Sequence, residues 1–242
     1  MIVYGLNPVL EALRAGRVRL LRVGPRSDRR VEDVIALARK AGVPIERTDA
    51  AALDRAARGG VHQGLAADVE GPRDYGIAEL VAGAAPDVPL LVVLDSVEDP
   101  HNVGAILRSV DAAGAHGVVR QARHAAALDG IVAKASAGAV TTVRIATAVN
   151  IARALDELEE AGVWTVGLAG DAGERYDEID MTVPTAIVLG AEGSGMRRLV
   201  RERCDRLAAI PMRGQVESLN VSVAAGVMLF EAVRQRQSRR GV

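Results

Sequence analysis

Leu90-Leu-Val-Val-Leu-Asp-Ser-Val-Glu-Asp-Pro-His-Asn-Val-Gly-Ala-Ile-Leu-Arg108 runs from an apolar stretch through a polar turn into an amphipathic segment. A strand with one wet face alternates apolar and polar side chains. The unbroken Leu90–Leu94 run instead suits a strand covered on both faces of a parallel sheet. Beyond Pro100 the apolar residues recur at helical spacing, which predicts a helix over 102–113 stopped by Gly114. The same strand-then-helix order recurs downstream. Gly117–Val119, Val163–Gly167, Thr185–Leu189 and Leu207–Ile210 read as strands. Asn150 caps a helix over 151–161 that Gly162 closes, and a long final helix spans Asn220–Arg234. Repeated units of this kind predict an α/β domain built on a mainly parallel sheet.

Upstream, residues 1–70 read as a separate small α/β unit. Asn7 and Pro8 open a helix that ends at Gly16, Val31–Ala41 is a second helix, and Ala50–Ala57 a third. Leu20–Val23, Pro44-Ile45 and Gly64–Ala67 are strands between them. Residues 71–89 carry repeated Gly and Pro and read as a linker holding one short helix, so the larger domain covers 90–242.

Composition narrows the class. A chain of 242 residues, 49% hydrophobic and 25% charged, has enough apolar material for real cores and the profile of an ordinary globular protein. One cysteine, Cys204, rules out a disulfide framework and a Cys-rich zinc site, and reads as a small, at least half-buried apolar residue. No apolar run is long enough for a membrane span, and the N-terminus lacks the order of a signal peptide, so a cytoplasmic location is expected.

Net charge is −1, but it is unevenly spread. Residues 1–30 hold seven Arg against two acids, and residues 196–242 hold ten Arg against four. Residues 148–195 hold two Arg against ten acids. Alone, this pattern describes solvated helix faces and a basic tail. Joined to the motifs below it suggests an RNA-facing surface, with Arg14, Arg17, Arg19 and Arg22 as phosphate contacts. Aromatics make up only 2%, which argues against base stacking on an aromatic platform.

Two further blocks lie where strands empty into turns, the usual ligand edge of an open α/β sheet. One is Ile187-Val-Leu-Gly-Ala-Glu-Gly-Ser-Gly-Met196, the other Ile210-Pro-Met-Arg-Gly-Gln-Val-Glu-Ser-Leu-Asn-Val-Ser-Val-Ala224. The Gly190–Gly195 turn is no P-loop, because no Gly-Lys-Ser/Thr follows, and its glycine spacing departs from the dinucleotide fingerprint. Singly, each polar residue here has a plain explanation: Asn102, Ser218 and Asn220 as helix caps, Glu192 in a turn, Arg108 on a wet surface.

Taken together, the three blocks closely resemble the motifs of the SpoU/TrmH family of RNA ribose 2′-O-methyltransferases. Asn102 and Arg108 match its first motif, Glu192 its second, and Ser218 and Asn220 its third. Lys134-Ala-Ser-Ala-Gly-Ala139 resembles an intermediate block. Tyr4-Gly-Leu-Asn-Pro-Val with His62-Gln-Gly looks like the N-terminal substrate-binding domain of members that methylate a 23S rRNA guanosine.

The resemblance implies a SPOUT-type catalytic domain with a C-terminal trefoil knot, a small L30e-like N-terminal α/β domain, and a homodimer. It implies S-adenosylmethionine as cofactor, rRNA or a ribosome precursor as substrate, and no metal. Leu189, Gly190, Glu192, Gly193, Ile210 and Met212, with Ser218, Leu219 and Asn220, are the matching cofactor positions. Asn102, Arg108, Glu192, Ser218 and Asn220 are the matching catalytic ones, and Arg108 would also touch RNA. A guanidinium stays protonated in proteins, so an Arg suits stabilising a 2′-oxyanion or clamping a phosphate better than acting as a base. Other rRNA or tRNA sites, a non-catalytic ribosome-binding homologue, and a nucleotide-dependent oxidoreductase are the competing readings.

Overall fold

A computed structural model describes residues 1–25, 28–71 and 73–240. Arg26 of the basic N-terminal stretch, Pro72 of the expected linker and the last two residues lie outside the described residues. The chain forms two compact units. One comprises Met1–Pro72, Val103–Arg108 and Ala127–Thr142; the other comprises Arg73–Asn102, Ser109–Ala126 and Val143–Val242.

In chain order the first elements are β1 (Ile2–Tyr4), α1 (Leu6–Arg14), β2 (Val18–Val23), α2 (Arg29–Lys40), β3 (Ile45–Arg47), α3 (Ala50–Ala56) and β4 (Leu65–Val69). They make a four-stranded sheet in the order β1-β4-β2-β3, with only β2 and β3 parallel. The first helix begins earlier than Asn7 and Pro8 suggest. Gly5, at φ 89, is its N-cap, and Pro8 falls inside the first turn, where its missing N–H costs nothing. The cap that Gly5 cannot supply comes from a distance, because the Leu6 amide donates to Gln63 Oε1 at 3.0 Å. His62 Nδ1 in turn accepts from the Gly64 amide, at 3.0 Å. The two N-terminal segments singled out in the sequence thus form one joint.

The chain continues through α4 (Ile77–Ala82), β5 (Leu90–Leu94), α5 (Pro100–Ala112), β6 (Gly117–Gln121), α6 (Gly130–Ala135), β7 (Ile145–Ala148) and α7 (Ile151–Glu160). It ends with β8 (Trp164–Leu168), β9 (Glu174–Arg175), β10 (Thr185–Leu189), α8 (Arg198–Glu202), β11 (Arg206–Ala209) and α9 (Val221–Arg240). Seven strands form one sheet, β7-β6-β5-β10-β8-β11-β9, and every pairing in it is parallel. β5 and β10 lie side by side near its middle, buried along their whole length, as their unbroken apolar runs predict.

Leu91, Val93, Ala186 and Val188 pack with Ile151, Leu155 and Leu158 of α7. Leu155→Ala would cost about 2–5 kcal/mol, since a close-packed core cannot refill the gap. Ile77 and Leu80 of α4 join the same cluster. The Gly- and Pro-rich stretch therefore contributes a buried helix to the second unit.

The last helix buries Val221, Ala224, Ala225, Met228 and Leu229 and continues past Arg234 to Arg240. Its extra length has a cause. The Arg236 guanidinium donates to the carbonyls of Val88, Pro89, Met181 and Val183 at 2.6–2.9 Å, and Arg239 donates to Thr182 Oγ1 at 2.7 Å. Part of the basic tail is therefore structural.

Candidate functional site

Because all strands of the large sheet are parallel, the loops leaving their carboxyl ends share one edge. The loop after β10 spans Gly190–Met196 and closes on itself. Ala191 and Gly195 exchange backbone hydrogen bonds at 3.0 and 2.9 Å, with Gly193 and Gly195 at positive φ. A side chain at Gly190 would collide with the backbone of Gly195 and Met196, so the tight return requires glycine there.

The loop after β11 and the start of α9 face this turn. Between them lies a cavity of about 500 Å³, a size suited to a small organic cofactor. Leu189, Gly190, Glu192 and Gly193 line it from one side, and Ile210, Met212, Ser218, Leu219 and Asn220 from the other. The structure thus brings together every residue expected from sequence to touch the cofactor.

Asn220 is the hub. Its Oδ1 accepts from the Ser222 amide (2.9 Å), the Ser222 hydroxyl (2.6 Å) and the Val223 amide (3.4 Å), and so caps α9. Those donors fix the amide orientation and aim Nδ2 the other way. Nδ2 donates to Glu192 Oε1 at 2.6 Å and to Asn102 Oδ1 at 2.9 Å. One side chain therefore serves as cap and as bridge among all three motifs. Ser218 lines the cavity and does not cap the helix. Nor is Asn102 a cap: Asp99 takes that role on α5, accepting from the His101 amide at 3.1 Å. Asn102 is buried, its carbonyl oxygen directed at Asn220.

Arg108 lies six residues further along α5, about 9 Å along the axis. It is exposed, with no hydrogen bond or ion pair among the described residues, and so has its full fork of donors to offer. The N-terminal arginines differ from one another. Arg22 is held bidentately by Asp68 at 2.9 and 2.6 Å, Arg19 pairs with Glu70 and Arg14 with Glu11. Arg17 has no such partner among the described residues.

Sequence reading missed several residues here. Asp171, after β8, and Arg201 of α8 also line the cavity and pair bidentately at 2.8 and 3.0 Å. The Arg201 hydrogen bonds hold the Asp171 carboxyl below the usual carboxylate range. Asp95 and Arg197, paired beneath the Gly190–Met196 turn, were also missed. A charge directly ending an all-apolar strand was the available signal for Asp95. Cys204 is half-buried, its thiol donating to the Val200 carbonyl at 3.3 Å. No group of His, Cys, Asp and Glu able to hold a metal occurs among the described residues, and no helix there is long and apolar enough to cross a membrane.

The chain is similar to known proteins over nearly its whole length. Residues 89–230 match the model of the SpoU rRNA Methylase family, and residues 2–75 match that of RNA 2′-O ribose methyltransferase substrate binding. The 23S rRNA (guanosine-2′-O-)-methyltransferase RlmB of Yersinia pestis is 47% identical over 239 residues, covering 97% of each chain. The Pseudomonas aeruginosa protein of the same name is 44% identical, covering 97% of this chain and 96% of its own. Among solved structures, the SpoU methyltransferase AviRb from Streptomyces viridochromogenes, in complex with AdoMet, superposes with a TM-score of 0.83. The two are 27% identical, and the match covers 98% of this chain and 91% of that one.

Proposed function

Since the chain belongs to the SpoU rRNA methylase family, we propose that it transfers a methyl group from S-adenosylmethionine to the 2′-hydroxyl of a guanosine ribose in 23S rRNA. The observation that carries this reading is the Asn220 bridge to Glu192 and Asn102, set against the cavity.

The cavity fits the cofactor. Apolar Leu189, Ile210, Met212 and Leu219 flank it, and the glycine turn leaves room for close backbone approach. When bound, S-adenosylmethionine supplies a sulfonium methyl as electrophile. Apolar walls favour a transition state in which that positive charge is being neutralised. Holding both partners in line contributes several kcal/mol, and the bridged motifs give the cavity wall a single geometry. Arg108, exposed and without an ion-pair partner, clamps the phosphate beside the target ribose or stabilises its developing 2′-oxyanion.

The first 70 residues serve as substrate-binding domain and residues 90–242 carry the catalytic site; the stretch 71–89 expected as a linker instead lends α4 to the core of the second unit, and Val103–Arg108 and Ala127–Thr142 pack with the first. Among the four N-terminal arginines, Arg17 is the one without a carboxylate partner and so the best phosphate contact. The protein acts as a homodimer, supported by Val223 and Phe230, two large apolar residues of α9 that lie half-exposed seven positions apart. The knotted topology is proposed on the strength of family membership.

Mapping 2′-O-methyl groups in 23S rRNA from cells with and without the protein tests the proposal. One guanosine should lose its methyl group and regain it on complementation. An unchanged map would refute the substrate assignment, and sedimentation as a monomer at micromolar concentration would refute the dimer.

A further inference from the structure

Asp95 is fully buried, where an ionised carboxylate without donors is strongly disfavoured. Among the described residues its side-chain donors all come from one residue. Oδ1 accepts from Arg197 Nε at 2.8 Å and lies 2.6 Å from Nη2, and Oδ2 accepts from the Arg197 backbone amide at 2.8 Å. The Asp95 amide itself donates to the Leu189 carbonyl at 2.8 Å. Leu189 and Arg197 are the residues directly before and after the Gly190–Met196 turn. One residue therefore fastens both ends of that turn to the end of β5.

The backbone is bent to make this possible. Ser96, next in sequence, sits at φ 61, a conformation a non-glycine residue adopts at a cost. Its hydroxyl donates to Gln121 Oε1 at 3.4 Å. Stability alone gives little reason for such a pair, because buried ion pairs are often matched or bettered by apolar replacements. They do set register.

We infer that Asp95, acting through Arg197, is a positioning residue that holds the Gly190–Met196 turn, and with it Glu192, in the geometry that receives the cofactor. The turn then has two independent ties to the first motif: Asp95–Arg197 beneath it and Asn102–Asn220–Glu192 above it. The inference rests on reading the cavity as the S-adenosylmethionine site.

The test uses the full-length protein with D95N, R197Q and the double variant D95N/R197Q. It measures S-adenosylmethionine affinity by calorimetry, KM for cofactor and for RNA separately, and thermal unfolding. D95N and R197Q should each weaken cofactor affinity about tenfold or more, by the sensitivity of aligned sites to small displacements, and raise the cofactor KM while leaving RNA KM unchanged. The double variant should be no worse than the poorer single one, because both break the same latch. Arg197 is half-exposed, so R197Q decides the matter should D95N not fold.

Single variants that melt earlier yet bind cofactor within twofold of wild type would make the pair purely structural and overturn the inference. So would losses that multiply in the double variant. A folded wild type that does not bind S-adenosylmethionine would bring down the reading of the cavity itself. Wild-type binding with unaffected variants would remove only the latch.

Discussion

Replacing Asn220 by Asp separates the two duties of this residue. Its Oδ1 caps α9 through the amides of Ser222 and Val223, and a carboxylate oxygen does this equally well. The roughly 1 kcal/mol that such a cap contributes is therefore retained. What N220D loses is the Nδ2 donor to Glu192 at 2.6 Å and to Asn102 at 2.9 Å. A hydrogen bond to a charged group contributes about 1.5–3 kcal/mol, and N220D adds a like charge beside Glu192. Glu192 is exposed, so water screens part of that repulsion and the lower half of the range applies. At roughly tenfold per 1.4 kcal/mol, kcat/KM should fall about 10- to 30-fold. Transfer of labelled methyl groups to a 23S rRNA transcript measures it, with thermal unfolding alongside. The unfolding midpoint should stay within a few degrees of wild type. Near wild-type turnover would refute the bridge, and a fall in stability large enough to account for the fall in rate would show that the bridge holds the fold rather than the geometry of the site.

Arg108→Lys should fold normally and bind S-adenosylmethionine within about twofold of wild type, yet lose most of its turnover, because an ammonium cannot reproduce the planar fork. Single-turnover methylation at the wild-type rate would argue against the clamp. Arg17→Glu should weaken rRNA binding and flatten its salt dependence by about one charge, whereas Arg22→Glu should chiefly destabilise the first unit by placing a carboxylate against Asp68. Filter binding across a salt series distinguishes these outcomes. Burial pushes the Cys204 thiol up to about 12, so the native protein should resist alkylation at pH 8 and react once unfolded. Its raised value favours the folded state at neutral pH, and that contribution should drain away as pH climbs from about 9 towards 12.

How much of this was legible in the sequence depended on how completely each element is buried. β5 and β10 announced themselves because both faces are covered, so that β5 is wholly apolar and β10 carries a polar residue only at its start, Thr185. β1 and β7 went unread: they span three and four residues, too short for any period to emerge. The start of α1 was misplaced because its cap comes from Gln63, more than fifty residues away, and local rules cannot see such a partner.

At the site, Asn102 was ambiguous for a physical reason, since the residue types that cap helices are those that bridge polar networks. Only the presence of Asp99 on the cap resolves it. The basic ends of the chain were the least informative feature. Arg19, Arg22 and Arg236 are each engaged by acids or carbonyls within the fold, which formal charge does not reveal.

Arg236 also has a consequence for the way the protein is made. The carbonyls it satisfies belong to Val88 and Pro89, which lead into β5, and to Met181 and Val183, which lead towards β10. The central strands of the sheet are thus finished at their foot by a side chain of α9, well downstream of both strands in sequence. During synthesis the ribosome releases those strands long before it releases their anchor. A nascent or prematurely terminated chain holds the entire cofactor cavity in its sequence but lacks the fastening at the base of the sheet. Such fragments should be open to proteolysis, so that competence to bind cofactor waits for the part of α9 that carries Arg236.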